Sequence, residues 1–497
     1  MKVIVDNRPP RQFTGPDPLE PVLCRTAEDV LDSLQAFYAH STGFLRRQLK
    51  QVDDTASSPQ SFRACYPELV LEITDYSVGD SRLSYGRVDL PGVYATTITR
   101  PKLFSSYLIE QVGLLIKHHG VPLTVRQSTT PIPIHFALDG DHADAIDLPG
   151  LQDGMHRNYF DVPDLSVMND DIVNGIGFGN EYPTQPLALF PAPRVDYSLA
   201  RLEHYTATDP GHFQSFVLFT NYQQYVDEFI DYARRAIDSP ASGYNTLVLP
   251  GNQVLHHAKD PIIWPERLPQ MPACHLTRAD GRGISIINIG VGPSNAKTAT
   301  DHIAVLRPDT WIMLGHCAGL RTTQRLGDYV LAHAYLREDQ VLDSDLPTWV
   351  PIPALAEVQQ GLEHAVASVT SRQGYDIKEI MRTGTVASTS NRNWELRTRS
   401  DSIMSLSQSR AIGLDMESAT IAGNGFRFRV PYGTLLCVSD KPLHGELKLA
   451  GMANEFYQNQ VSKHLLVGIA ALENLRAMPR EFLHSRKLRS FEETAFK

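Results

Sequence analysis

Between Phe216 and Asp440 the chain repeatedly presents short runs that are apolar without alternation: FVLFT, TLVLP, ISIINIGVG, TWIMLG, YVLAHAYL and YGTLLCVSD. A strand with one wet face alternates apolar and polar side chains, so a run that is apolar throughout must be covered on both faces. The stretches between these runs read as helices. One carries Tyr222, Val226, Phe229, Ile230, Ala233 and Ile237 on a single face; others lie over Asn295 to Leu306, after Pro353 and in the C-terminal tail. Strands alternating with helices predict an α/β domain, a mixed, mostly parallel sheet between helices, over residues 196–497.

The first 195 residues have a different texture. Thr26, followed by Glu28 and Asp29 and then by Val30, Leu31, Leu34, Phe37 and Tyr38 at helical spacing, predicts a helix from about Thr26 to Lys50. The runs LVLEITDYS, VYATTIT and PIPIHFAL are β-rich, and Phe104 to His119 is amphipathic, which together predict an α+β domain. From Asp139 to Asp171 there are nine Asp against one Arg, Arg157, and no Lys. This reads as an acidic, Pro- and Gly-rich linker or lid, or simply as a solvated spacer.

Composition excludes several classes. A formal net charge of −10 on 497 residues leaves no electrostatic footprint for nucleic acid. The five cysteines, Cys24, Cys65, Cys274, Cys317 and Cys437, form no C-x-x-C pair, which suits reduced thiols and a cytoplasmic setting. No window approaches 18 consecutive apolar residues, so no membrane partner is expected.

In an open α/β sheet, functional groups gather beyond the carboxyl ends of the strands. Four places qualify. In GVGPSNA, Gly290 and Gly292 let backbone approach an anion or a sugar hydroxyl at a helix start, although the loop serves equally as a structural turn. Asn295 stands where a dinucleotide fingerprint needs its third glycine. In GHCAGL, Gly315 and Gly319 allow close approach, and His316 is either a substrate partner or a satisfied buried histidine. In LDMESATIAGNG, Glu417 falls in the first turn of a helix ending near Gly425, facing a cleft or complementing the helix dipole. In LLCVSDKP, Asp440 ends a buried strand, or merely caps a turn before Pro442.

Taken in this order and at these spacings, GVGPSNA, PDTWIMLGHCAGL, GDYVLAHA, DMESAT and the strand-terminal SD resemble the nucleoside phosphorylase and nucleosidase family over Phe216 to Leu472. The N-terminal extension with CYPEL, together with RTGTVASTSNRNWELR and SDKPLHGELK, resembles the branch of that family that acts on AMP. The resemblance implies hydrolysis of the N-glycosidic bond of AMP to adenine and ribose 5-phosphate. It makes Asp440 the general acid at purine N7, with burial raising its pKa, and puts Met416 and an ionised Glu417 on the ribose hydroxyls. From SNRNW it suggests Trp394 as a stacking residue, or a tryptophan of the core or rim. Two departures stand out. Met313 occupies the position of the phosphorylases' phosphate-holding arginine, and Asn221, Tyr222, Gln223 and Gln224 follow the first strand where nucleosidases carry a water-activating glutamate. Arg321, Arg325, Arg382 and Arg392 are open candidates for the 5′-phosphate. The same resemblance implies no tightly bound cofactor, Mg-ATP as activator and phosphate as inhibitor acting through the N-terminal domain, and a homo-oligomer. A purine nucleoside phosphorylase and an inactive nucleotide-binding regulator remain the alternatives.

Overall fold

The computed structural model describes residues 12–52, 60–76, 85–138, 155–179, 181–396, 399–447, 452–480, 482–483, 488–490 and 492–497. Residues 139–154 of the acidic linker, Ser77 of LVLEITDYS, and Arg397 and Lys448 of the two longer motifs lie outside these. The chain forms two units, 1–197 with 491–497, and 198–490.

The first unit carries, in order, β1 (Phe13–Thr14), β2 (Val22–Cys24), α1 (Ala27–Leu49), β3 (Ser61–Phe62), β4 (Cys65–Ile73), β5 (Gly92–Thr97), α2 (Ser105–His119), β6 (Leu123–Pro131), α3 (Ile134–Ala137) and β7 (Gln185–Pro186). β1 pairs with β3, and the remaining five strands form one sheet in the order β2-β6-β4-β5-β7. Thr26 caps α1 by accepting the Asp29 N–H at 3.1 Å, so the helix starts where its sequence signal lies. Val30 and Leu34 of α1, Leu69 and Leu71 of β4, and Val112 and Leu115 of α2 fill the core.

Two expectations fail in this unit. PIPIHFAL is not a strand: Ile134–Ala137 is one helical turn entered from Pro133, and the strand is the preceding LTVRQSTTP, whose buried Leu123 and Val125 are masked by polar neighbours. The C-terminal tail belongs here rather than with the second domain. Ala495 and Phe496 are fully buried in this core. The Phe496 N–H bonds the Leu187 carbonyl at 2.9 Å, and the Ala495 carbonyl accepts from Gly86 at 2.7 Å.

The division falls within α4 (Ala192–Thr206). The second unit continues with β8 (Phe216–Thr220), α5 (Gln223–Ile237), β9 (Thr246–Leu249), β10 (Gln253–Leu255), β11 (Ala273–Thr277), β12 (Ile284–Asn288), α6 (Pro293–Ile303), β13 (Thr310–Gly319), β14 (Tyr329–Glu338), α7 (Ala356–Thr370), β15 (Met381–Thr389), α8 (Arg399–Gln408), β16 (Gly413–Asp415), α9 (Ser418–Phe428), β17 (Tyr432–Asp440) and α10 (Met452–Ala477). Ten strands form one mixed sheet, ordered β10-β9-β11-β12-β8-β13-β16-β15-β14-β17, and a further β13–β17 pairing closes the last five into a ring. The centre, β12-β8-β13-β17, is parallel; antiparallel ladders lie toward the β10 edge and at the β14–β17 and β13–β16 closures. Closure removes two strand edges, which the sequence did not announce.

Every residue of β8 and β13 is buried, as is β17 through Val438. Helices cover both faces at close range: α7 and α10 lie on the face of Gly433 and Leu314, and α9 meets Trp311 and Tyr432 on the other. A Cβ on Gly433 of β17 would lie 2.4 Å from Val358 of α7, and one on Gly468 of α10 would lie 2.2 Å from Leu314 of β13. Two boundaries differ from expectation. GHCAGL lies inside β13 as far as Gly319 rather than beyond the strand, and its register against β17 shifts between Cys317 and Ala318. α9 runs past Gly425 to Phe428, because Gly425 packs against Tyr432 and Trp311 rather than ending the helix.

Candidate active site

Three chain segments meet at one carboxylate. β16 delivers Asp415, half-buried Met416 and Glu417, and Glu417 is the residue preceding α9 rather than part of its first turn. It is only 1% exposed. From the end of β12, the GVG loop turns into α6 with Gly290 at φ +68° and Gly292 at φ +120°, backbone that side chains rarely adopt. The Gly292 N–H donates to Glu417 Oε1 at 2.6 Å. From the end of β8, Asn221 Nδ2 donates to Glu417 Oε2 at 3.1 Å. The helix-start N–H expected to face a ligand thus holds Glu417. Asn295 stands over the loop, with its Nδ2 3.1 Å from where a Gly290 Cβ would be.

Behind Glu417 lies a second buried carboxylate. Asp415 accepts the Ser388 hydroxyl at 2.5 Å, the Ser418 N–H at 3.0 Å and the Ser418 hydroxyl. Ser388 Oγ in turn accepts the Ala419 N–H at 2.8 Å, tying β15 to the start of α9. Burial pushes both carboxyls up, and Asp415 pushes Glu417 further; hydrogen bonds from Gly292, Met416 and Asn221 oppose this for Glu417.

Asp440 is the last residue of β17, half-buried and in register with Ala318 of β13. The Ser439 hydroxyl donates to its Oδ1 at 2.7 Å. The chain then folds back, with Lys441 paired to Glu446 at 2.5 Å. Gly319 permits this approach: a Cβ there would lie 2.8 Å from Val438 Cγ1 and 3.2 Å from Lys441 Cγ. Trp394 packs with Leu443 against Ala318, Leu320, Leu406 and Leu414, and borders a cleft of about 300 Å³ shared with Glu338, Thr389 and Ser390. Gly315 stands beside Asn221, its absent Cβ 3.3 Å from Oδ1. His316 is buried, edge-on to Tyr222 at 4.9 Å and tilted to Tyr225 at 5.7 Å. Met313 is fully buried.

The sequence candidates therefore form two groups joined by β13: Glu417, Met416, Gly290, Gly292, Asn295 and Gly315 on one side, Asp440, Gly319 and Trp394 on the other. Three of the candidate arginines gather at the loop after β13. Arg382 donates to the Thr323 hydroxyl and carbonyl at 2.8 Å, while the Arg321 and Arg325 N–H groups bond Gln324 and Asp328. Arg392 is exposed near Trp394. Sequence reasoning missed Asn221 and Asp415 as partners of Glu417. Asn221 was within reach of the strand-end rule, since it directly follows an all-apolar strand. Among the described residues, no helix is long and apolar enough to cross a membrane.

A partly closed mixed sheet with carboxylates and a glycine loop at its strand ends defines a nucleoside phosphorylase-like domain. The Phosphorylase superfamily model matches residues 273–472, and a model described as bacterial AMP nucleoside phosphorylase N-terminus matches residues 29–183. AMP nucleosidase of Escherichia coli strain K12 is 48% identical over 487 residues, covering 95% of this chain and 98% of the relative. The AMP nucleosidase of Escherichia coli O157:H7 gives the same figures, 48% over 487 residues with 95% and 98% covered. The chain belongs to the AMP nucleosidase family. A solved AMP nucleosidase from Bacteroides thetaiotaomicron is 27% identical over 57% of this chain and 98% of its own, with a TM-score of 0.41.

Proposed function

We propose that this chain hydrolyses the N-glycosidic bond of AMP, giving adenine and ribose 5-phosphate. The observation that carries hydrolysis over phosphorolysis is Met313: it is apolar and fully buried, where the phosphorylases that the sequence resembles hold phosphate with an arginine. As the C1′–N9 bond lengthens, electrons move into the purine, and a proton from Asp440 at N7 lets adenine leave neutral. Asp440 is half-buried, so a purine seated against it completes its desolvation. Positive charge grows on the ribose, where Met416 and Glu417 meet the hydroxyls and Glu417 stabilises the developing charge. Trp394 lies against the purine, while Gly290, Gly292, Asn295, Gly315, His316 and Gly319 shape the walls. Purified protein is expected to release adenine from AMP in phosphate-free buffer. Adenine release that depends on added phosphate and yields a ribose 1-phosphate would overturn hydrolysis.

The same reading makes residues 1–195 a regulatory domain that answers to Mg-ATP as activator and phosphate as inhibitor, within a cytoplasmic homo-oligomer. In its support, every proposed site residue lies in the second unit, while the first has a core of its own. A nucleotide regulates only by binding two states of the enzyme unequally, and a separate unit can supply the second state. The deletion that tests this has to remove 1–197 together with 491–497, since Phe496 would otherwise lose its core. Basal hydrolysis is expected to remain and the ATP response to vanish. An unchanged ATP response in the folded remainder would assign effector binding to the second unit.

A further inference from the structure

Glu417 is clamped by two donors that address different oxygens, the Gly292 N–H on Oε1 and Asn221 Nδ2 on Oε2. A neutral carboxyl has a proton on one oxygen; a carboxylate accepts at both, so this clamp selects the ionised form. Burial and the charge of Asp415 act the other way. The Asn221 amide is oriented at a cost. With Nδ2 turned to Glu417, its Oδ1 is buried without a hydrogen-bond partner among the described residues, and an unpaired buried acceptor destabilises a fold. Packing alone gives no reason to retain it, because an apolar side chain of the same shape would fill the place without the orphan.

We propose that Glu417 is also the base that takes the proton of the attacking water, and that Asn221 is the residue that positions it for that task. The inference rests on reading the chain as a hydrolase, and it deepens that reading by naming its base. In the step, a water O–H bond breaks and its proton passes to Glu417. The water oxygen bonds to C1′, the C1′–N9 pair moves into the purine, and N7 takes the proton of Asp440. Glu417 ends protonated and Asp440 ionised, and solvent returns one proton from the first to the second, so nothing is consumed except water.

The charged group acting on Glu417 is Asp415 of β16, while the start of α6, Met416 and Asn221 contribute neutral donors. On β13 the titratable groups are His316, turned against Tyr222 and Tyr225, and the buried thiol of Cys317, which burial and then the charge of Asp415 hold in its neutral form. Asn221→Leu keeps the volume and deletes the donor. In the full-length protein, the Glu417 carboxyl, followed by infrared titration and identified by its loss in Glu417→Gln, is expected to titrate about one pH unit higher, in line with one lost charge-assisted hydrogen bond. The acid limb of kcat for AMP should move by the same amount. Asn221→Asp, isosteric and the safeguard if the leucine variant misfolds, places an acceptor against Glu417 and should move the limb further. The base role has its own readout in 2′,3′-dideoxy-AMP, which has no ribose hydroxyls for Glu417 to hold. Glu417→Gln should still slow its hydrolysis by about 10²-fold. An unmoved Glu417 titration in the folded Asn221 variants overturns the role of Asn221. Equal rates of wild type and Glu417→Gln on the dideoxy substrate overturn the base. If wild-type protein releases no adenine without phosphate, the hydrolase reading fails, and the infrared titration still decides whether Asn221 sets the state of Glu417.

Discussion

Asp440→Asn is expected to lower kcat for AMP by about 10² to 10⁴, the usual worth of a positioned general acid, with KM changed far less. The substitution is nearly isosteric at the end of β17. The amide oxygen still accepts the Ser439 hydroxyl, which donates to Asp440 Oδ1 at 2.7 Å, so the strand end keeps its geometry and loses only the transferable proton. The position has little freedom. Its backbone pairs with Ala318, and the next residue is held by the Lys441–Glu446 ion pair, so the carboxyl is presented by two strands rather than by a mobile loop. The defect should shrink for a substrate such as 4-nitrophenyl ribose 5-phosphate, whose leaving group departs without a proton. Steady-state rates on the two substrates check this. Near-normal turnover of AMP by Asp440→Asn would remove the acid role from this residue, and an equal defect on both substrates would mark it as structural.

How much of this was legible beforehand follows from the range of each interaction. Strands buried on both faces announce themselves by composition, as FVLFT and TWIMLG do, because two-sided burial leaves polar residues no place. The start of α1 was legible because its cap bond spans three residues, Thr26 to Asp29. β11, β15 and β16 were not read as strands. β15 is MRTGTVAST, rich in small and polar residues that seal the closed ring, and β16 is three residues long, below any periodic signal. The tail failed for a similar reason, since Ala495 and Phe496 are too few to show a pattern and their partners Gly86 and Leu187 are hundreds of residues away. In the site, Gly290, Gly292, Glu417 and Asp440 could each be singled out at a strand end. Their pairing could not. The bond from Asn221 to Glu417 crosses 196 residues and the one from Gly292 crosses 125, and no local chemistry marks either. The proton state expected for Glu417 was likewise read from its task alone, without the burial and the neighbouring Asp415 that resist ionisation.

That opposition gives the other large expectation, for Glu417→Gln. Its kcat for AMP should fall by about 10² or more, since the variant can neither hold the ribose hydroxyls as an anion nor accept a proton. The defect should be smaller on 2′-deoxy-AMP, where one hydroxyl is already gone. In wild type the activity should fall as pH drops through the titration of Glu417, which lies above the ordinary carboxylate range because the side chain is buried beside Asp415. Stability must follow the same titration with the opposite sign. An acid whose pKa is raised by folding is protonated in both states below about pH 4.3, so there its burial as an acid costs the fold nothing. Between that value and the raised one, the unfolded chain has released the proton while the folded chain retains it, and each rise of one in pH removes about 1.4 kcal/mol of stability. Above the raised value the loss is constant. Glutamine has no such titration. Relative to wild type, Glu417→Gln should therefore gain stability steadily as pH rises from about 4 toward the raised pKa, whatever offset it suffers from turning an amide toward the two donors of the clamp. Urea unfolding of the two proteins from about pH 4 to about pH 9 measures the slope. A difference that stays flat across this range would mean that Glu417 ionises as easily in the fold as in the open chain, and that neither burial nor Asp415 governs the carboxylate on which the site is built.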